Sequence, residues 1–168
     1  MIYRSFCFAA LVSCFLTVTP TLADWTSYLN GNDRAGYTSE SIVGDLTLAW
    51  TRQAPAKPRK AWAGPRSELI EGHEMRHRVD FDAAMQVVIS DGRLYYGSSV
   101  DHMLYCVDAD TGETIWDFYT EGAIRLAPTL AHGNVYVGSD DGFVYCLNRE
   151  DGEVVWKMRV GPREDLLL

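Results

Sequence analysis

The chain has 168 residues, with 15 Lys and Arg against 23 Asp and Glu, a net charge of −8. An acidic balance of that size argues against nucleic acid and anionic membrane surfaces as partners. With 47% of its residues hydrophobic, the chain can bury one modest core, and no second domain is required.

Residues 1–23 read as a targeting segment. Arg4 precedes an almost unbroken apolar run from Phe6 to Val18, and Pro20-Thr21-Leu22-Ala23 follows. A positive start, a short apolar stretch and small residues at Thr21 and Ala23 predict an export signal cleaved before Asp24. The run is short of the ~20 apolar residues that a membrane span needs, so no transmembrane span is expected after cleavage. The expected location is periplasmic or extracellular. Leu11-Val12-Ser13-Cys14 resembles a bacterial lipoprotein box, and lipid anchoring at Cys14 is the second reading.

Residues 24–45 are polar and rich in Asn, Asp and Gly, and read as an irregular arm on which Trp25, Tyr28 and Tyr37 are expected to be packed rather than displayed. Residues 46–52 contain Leu46-Thr47-Leu48-Ala49-Trp50-Thr51, which matches the run that ends each repeat described below. They predict an orphan strand that completes a sheet supplied elsewhere in a propeller. Residues 53–82 carry Pro55, Pro58 and Pro65 and the basic run Lys57-Pro58-Arg59-Lys60. Proline fixes φ and withholds a donor, so this part reads as an insertion or linker.

Inside the insertion, His73-Glu74-Met75-Arg76-His77 is a literal H-E-x-x-H. On a helix that spacing sets two imidazoles on one face to hold zinc, with the carboxylate as general base for a bound water. Here Gly72 and Pro65 oppose a helix, and Arg76 and Arg78 would crowd the metal with positive charge. A third ligand would have to come from His102, His132 or a carboxylate, none at a recognised spacing. Coincidence is the preferred reading; a zinc hydrolase on His73, Glu74 and His77 ranks behind two others given below.

Residues 83–160 carry nearly the same message twice. Tyr105-Cys106 returns as Tyr145-Cys146 and Gly112-Glu113…Trp116 as Gly152-Glu153…Trp156, each 40 residues later, whereas Gly97 returns as Gly138 after 41. The first copy therefore has one extra residue in its Ser98–His102 loop. Each copy holds four short runs rich in Val, Ile, Tyr, Phe and Trp: 86–90, 93–97, 103–108 and 114–119, then 127–131, 134–138, 143–148 and 154–159. Asp91-Gly92, His132-Gly133 and the Asp-rich breaks between runs are hairpin signals, since Gly takes the positive φ the turn needs. A period of ~40–45 residues with four strands is that of propeller blades. Residues 161–168, ending Leu166-Leu167-Leu168, read as a truncated tail.

Cys7 and Cys14 leave with the signal. Cys106 and Cys146 stand at equivalent places in adjacent blades, at roughly the ~10 Å spacing of packed sheets, beyond the ~5.5–6 Å Cα separation of a disulfide. Two buried free thiols are expected. Trp116 and Trp156, recurring after a Gly-Glu turn, read as blade-to-blade packing residues, because a repeat unit cannot bury its apolar face alone. Trp50, Gly97, Cys106, Gly112, Trp116, Gly138, Cys146, Gly152 and Trp156 are thus the structural repeat residues.

Tyr-Cys-Val-Asp-Ala-Asp-Thr-Gly-Glu-Thr-Ile-Trp at 105–116 and Tyr-Cys-Leu-Asn-Arg-Glu-Asp-Gly-Glu-Val-Val-Trp at 145–156 closely resemble the pyrroloquinoline quinone (PQQ) enzyme repeat. The resemblance implies a β-propeller. It also implies one of two roles, since the family holds quinoprotein alcohol and glucose dehydrogenases as well as scaffolds of outer-membrane protein assembly that bind no quinone. The dehydrogenases carry an adjacent Cys-Cys pair, calcium held by Glu, Asn and Asp, and an Asp base, and none of these matches a motif here. Asp101, Asp108, Asp140 and Asp141 read instead as turn residues capping local backbone.

The expected fold is all-β: a partial β-propeller of two four-stranded antiparallel blades plus an orphan N-terminal strand, the N-terminal part of a longer ring or one member of a ring of chains. The expected function is an exported binding or scaffold module with no catalytic site in this chain. The alternative is part of a PQQ-dependent alcohol or sugar dehydrogenase whose remaining groups lie beyond residue 168. No cofactor is expected in this chain; PQQ and calcium belong to the alternative. Expected partners are further blades, other copies of the chain, or envelope proteins.

Overall fold

A computed structural model of the chain describes residues 24–41, 44–60, 69–70, 73–74 and 85–161. The expected signal at 1–23, most of the expected insertion beyond residue 60, and residues 162–168 lie outside the described residues.

Two four-stranded antiparallel sheets form the body. The first runs in order β3 (Val87–Ser90), β4 (Arg93–Gly97), β5 (Met103–Asp108) and β6 (Thr114–Tyr119). The second repeats it with β7 (Thr129–Ala131), β8 (Asn134–Gly138), β9 (Phe143–Asn148) and β10 (Val154–Arg159). The all-β, two-blade reading of the repeat is what the structure shows. Asp91-Gly92 and His132-Gly133 close the inner hairpins with both residues at positive φ, the backbone twist a two-residue hairpin favours.

The first sheet pairs Cys106 with Trp116 but Val107 with Thr114, so Ile115 is an extra, bulged residue. The second sheet repeats the irregularity, pairing Cys146 with Trp156 and Leu147 with Val154 around Val155. A bulge bends its strand and re-aims the next side chain, and both times that residue is the repeat tryptophan.

The core lies between the blades. Val88, Tyr95, Leu104, Cys106 and Trp116 of the first blade face Leu130, Val135, Val137, Tyr145 and Leu147 of the second. Each fully buried aliphatic side chain contributes roughly 1.5–3 kcal/mol. Ile124, on the β6–β7 connection, closes the seam over Gly97, where an added Cβ would fall 2.0 Å from the Ile124 Cγ2.

The N-terminal arm is anchored through its first residues. Trp25 exchanges both backbone hydrogen bonds with Ile89 of β3, and the Leu130 N–H donates to the Thr26 carbonyl, so the arm bridges the two inner strands. Tyr28 and Tyr37 depart from expectation and are exposed, 47% and 73%. The chain turns through Leu29, Asn30 and Gly31 at positive φ, which carries both rings away from the blades.

Residues 46–52, expected as an orphan strand, form no ladder with any described strand. The insertion contains a two-residue hairpin, β1 (Leu69–Ile70) with β2 (His73–Glu74). His73 and Glu74 therefore sit on a strand, whereas the zinc reading requires a helix, and His77 lies outside the described residues.

Candidate functional site

The most differentiated surfaces are the blade faces, and the seam between the two blades shows what such a face accepts. The bulge aims Trp116 at the next blade, where its Nε1 donates to the Arg149 carbonyl at 3.0 Å. Its ring covers Gly152, held at φ +76°, where an added Cβ would lie 2.7 Å from the ring. Tyr95 flanks the indole at 5.9 Å between centroids. The seam is thus a tryptophan knob in a glycine pocket, closed by one hydrogen bond to the turn.

Residues 46–52 repeat this contact one blade earlier. The Trp50 Nε1 donates to the Ala109 carbonyl at 2.9 Å, and a Cβ on Gly112, at φ +74°, would lie 2.7 Å from the Trp50 ring. Ala109 and Gly112 are the repeat counterparts of Arg149 and Gly152, so Trp50 takes the place of an outer-strand tryptophan from a preceding blade. Arg52 stands where Phe118 stands in the seam. Phe118 meets Tyr145 edge-on at 5.3 Å, whereas the Arg52 guanidinium lies 5.1 Å over Tyr105 and donates to the Gly112 carbonyl and Thr114 Oγ1. Beside the segment a cleft of about 330 Å³ opens on Trp50, Met85, Val87, Leu94, Tyr96 and Val107.

At the other end the same knob is bare. Trp156 rests against Tyr136 at 6.0 Å, as Trp116 does against Tyr95, yet it is 41% exposed where Trp116 is 8%. Gly138, counterpart of Gly97, has nothing within 4 Å of where its Cβ would stand. Among the described residues, the hole at Gly138 and the knob at Trp156 are therefore open.

A polar key locks the lower rim of the seam. Arg93 pairs with Glu150 at 2.6 Å and donates to the Arg149 carbonyl at 3.1 Å, while Arg149 pairs with Asp91. The Arg149 hydrogen bond holds the Asp91 carboxyl below the usual carboxylate range. Only Glu150 has a counterpart of the same charge, Asp110; His132, Asn134 and Ala109 stand at the repeat positions of the other three, so the repeat pattern gives no signal for the two arginines of the key. Arg52 was also hidden, since it replaces an aromatic residue.

Cys106 and Cys146 are free and buried. Burial pushes the Cys106 thiol up to about 11, which keeps it protonated and unreactive. The acidic residues at the loop ends are engaged. Asp101 accepts the Met103 N–H and the Tyr105 hydroxyl at 2.7 Å, and Asp141 repeats both bonds to Phe143 and Tyr145. Burial alone would raise the Asp101 carboxyl, but hydrogen bonds from Ser98, Tyr105 and Met103 outweigh it and hold the group low. Asp108 accepts the Asp110 and Thr111 N–H groups. Asp140 departs from the turn-capping expectation and pairs with Arg125 Nε at 2.6 Å.

The donors that a quinone–calcium centre would draw on are otherwise engaged among the described residues. The two cysteines belong to different blades and are buried in them. The loop-end carboxylates serve their own turns or an arginine, and no three metal-ligating side chains converge among the described residues.

Comparison with known proteins places the chain. A search of curated proteins finds no match. Among solved structures, the quinohemoprotein alcohol dehydrogenase from Comamonas testosteroni superposes with a TM-score of 0.59 at 20% identity, over 82% of this chain and 19% of that one. BamB from Moraxella catarrhalis matches with a TM-score of 0.41 at 20% identity, over 45% of this chain and 23% of that one. The chain thus spans about a fifth of the length of either. The superposition on the dehydrogenase shows the propeller fold and nothing of the activity. No described helix is long and apolar enough to cross a membrane. The family described as outer membrane protein assembly factor BamB (PQQ_2) matches residues 47–168, and the chain belongs to that PQQ-like-repeat β-propeller family.

Proposed function

We propose that the chain is exported and acts as part of a noncatalytic binding propeller that scaffolds envelope proteins. One observation carries the reading: the loop-end carboxylates Asp101, Asp108 and Asp141 are committed to their own turns, while the blade faces carry matched knobs and holes. The chemistry of the chain is shape complementarity. The family description, outer membrane protein assembly factor, supports the same class of role. Further blades fill the faces beyond Trp50 and Trp156, and the partner proteins bind the ring those blades complete.

Titration of the protein from its native source with PQQ and calcium, followed by tryptophan fluorescence, tests the reading. No saturable quenching is expected. Stoichiometric quenching together with dye-linked alcohol oxidation would overturn it in favour of the quinoprotein dehydrogenase. Export is tested separately by mass: the protein recovered from the envelope fraction begins at Asp24, or at a lipid-modified Cys14 under the second reading. Finding the uncleaved chain in the cytosol would refute both.

A further inference from the structure

We propose that Asn30-Gly31 in the N-terminal arm is a self-modifying site, at which the Gly31 nitrogen displaces the Asn30 side-chain amide and the product releases the turn over residues 29–37. This chemistry lies within the arm. It uses no blade face and is independent of the activity of the propeller.

The two residues supply everything the reaction needs except water. Asn30-Gly31 is the one Asn-Gly step in the chain. With no Cβ on Gly31, its main-chain nitrogen can approach the preceding side chain closely. Among the described residues the Gly31 N–H has no acceptor, whereas the Asn30 N–H donates to the Ser27 carbonyl at 3.0 Å and the Gly36 N–H to the Leu29 carbonyl at 2.8 Å. The bond that forms joins Gly31 N to Asn30 Cγ. The bond that breaks is Cγ–Nδ2, and ammonia leaves with the proton that the Gly31 nitrogen gives up. Water then opens the five-membered imide at either carbonyl, leaving an aspartate at position 30 or an isoaspartyl linkage. Nothing is oxidised or reduced.

The turn that holds these residues is under load. Leu29, Asn30 and Gly31 have φ of 57°, 52° and 70°, and the left-handed region is unfavourable for the two that carry a Cβ. One side-chain bond ties Asn30 across the loop: its Nδ2 donates to the Tyr37 carbonyl at 3.3 Å. A second tie is Ser27 Oγ, which donates to the Gly31 carbonyl at 3.2 Å. Attack needs Asn30 to leave the left-handed conformation, so the strain favours the opening on which the reaction depends.

The product cannot rebuild the loop. The nitrogen that leaves is the donor to the Tyr37 carbonyl, and a carboxylate in its place only accepts. The new charge also arises beside Asp33, whose Oδ1 stands 3.2 Å from where a Gly31 Cβ would be. Trp25 and Thr26 keep their bonds to Ile89 and Leu130, since none of these passes through residue 30. Modification therefore frees the segment around Arg34 and leaves the blades joined.

Ageing of the full chain at mildly alkaline pH, with isoelectric focusing and peptide mapping, tests this. Wild type is expected to accumulate a form more acidic by one charge, with OH in place of NH2 at residue 30 and an isoaspartyl fraction that isoaspartyl methyltransferase labels. Asn30→Gln lengthens the side chain by one methylene and removes the five-membered closure, so it should slow the acidic form at least about ten-fold. Trypsin should cut after Arg34 several-fold faster in the aged form and in fresh Asn30→Asp than in fresh wild type, with the urea midpoint unchanged. Modification that begins at another Asn or Gln while Asn30 stays intact overturns the proposal. So does an acidic form that appears equally fast in Asn30→Gln, or equal cleavage after Arg34 in the fresh and aged proteins.

Discussion

Gly152→Ala measures how much of the stability resides in the tryptophan pocket. The new Cβ would start 2.7 Å from Trp116 Cε3 and 2.8 Å from Cδ2. Carbon atoms settle at about 3.5–4.0 Å, so the ring must retreat by roughly 1 Å. That retreat stretches the 3.0 Å bond from Nε1 to the Arg149 carbonyl and loosens a side chain that is 8% exposed. Overpacking of this kind costs about 1–3 kcal/mol. The left-handed backbone at φ +76° adds about 1–2 kcal/mol for any residue with a Cβ, giving a total of about 2–5 kcal/mol. Gly133→Ala is the matched control. It has nearly the same φ, +75°, and nothing within 4 Å of the new atom, so it bears the backbone cost alone. Urea unfolding of both variants should place Gly152→Ala about 1–3 kcal/mol below Gly133→Ala, and the gap should close in a Trp116→Ala background. Equal losses in the two variants, or a gap that persists without Trp116, would refute the pocket as the source.

Other consequences can be checked on the same protein. Trp116→Ala should cost about 3–5 kcal/mol as a buried large-to-small change, whereas Trp156→Ala, on the open face, should cost about 1 kcal/mol or less; equal losses would mean the second blade's face is covered in solution. Cys106 should resist alkylation in the folded chain at pH 8. Its pKa rises from an ordinary 9.0 to about 11 on folding, so its contribution is fully present below pH 9. That contribution, about 2–3 kcal/mol, is lost as pH rises toward 11; the loss should appear in urea midpoints and be smaller in Cys106→Ala, where Tyr95, Tyr105 and Tyr145, also raised by burial, still contribute above pH 10. Tyr145→Phe removes the hydrogen bond to Asp141 and should cost about 1–3 kcal/mol, with Asp141→Asn in the same background adding little. A fully additive pair would show that the two side chains do not act together.

The strands were legible because each signal was local. Alternating runs ended at Gly-bearing turns, and six of the eight blade strands have the bounds those turns imply, the first strand of each blade alone being shorter. Trp50 was legible as a relative of Trp116 because its neighbours Leu48 and Thr51 kept the pattern. Its hydrogen-bonding state was not, since a ladder depends on what lies alongside. The arginines of the polar key, Arg93 and Arg149, were invisible for a different reason. Repeat comparison finds what recurs, and a contact that distinguishes one seam from the next is made of residues that do not. The H-E-x-x-H run shows the converse case: a spacing has chemical meaning only on the element that supplies its geometry, and His73 and Glu74 lie on a strand.

The bulge at Ile115 and Val155 also decides where the chain tolerates changes of length. The first copy has one more residue than the second between β4 and β5, yet Tyr95 still pairs with Cys106 as Tyr136 does with Cys146. Insertions at that loop are absorbed, because the strands on either side are aligned by their own ladder. One residue removed from the outer strand would erase the bulge and turn Trp116 to the opposite face. Gene duplication could thus have lengthened the loops of such blades freely while the outer strand kept a fixed count, and drift in length should mark the loop end of the family far more than its rim.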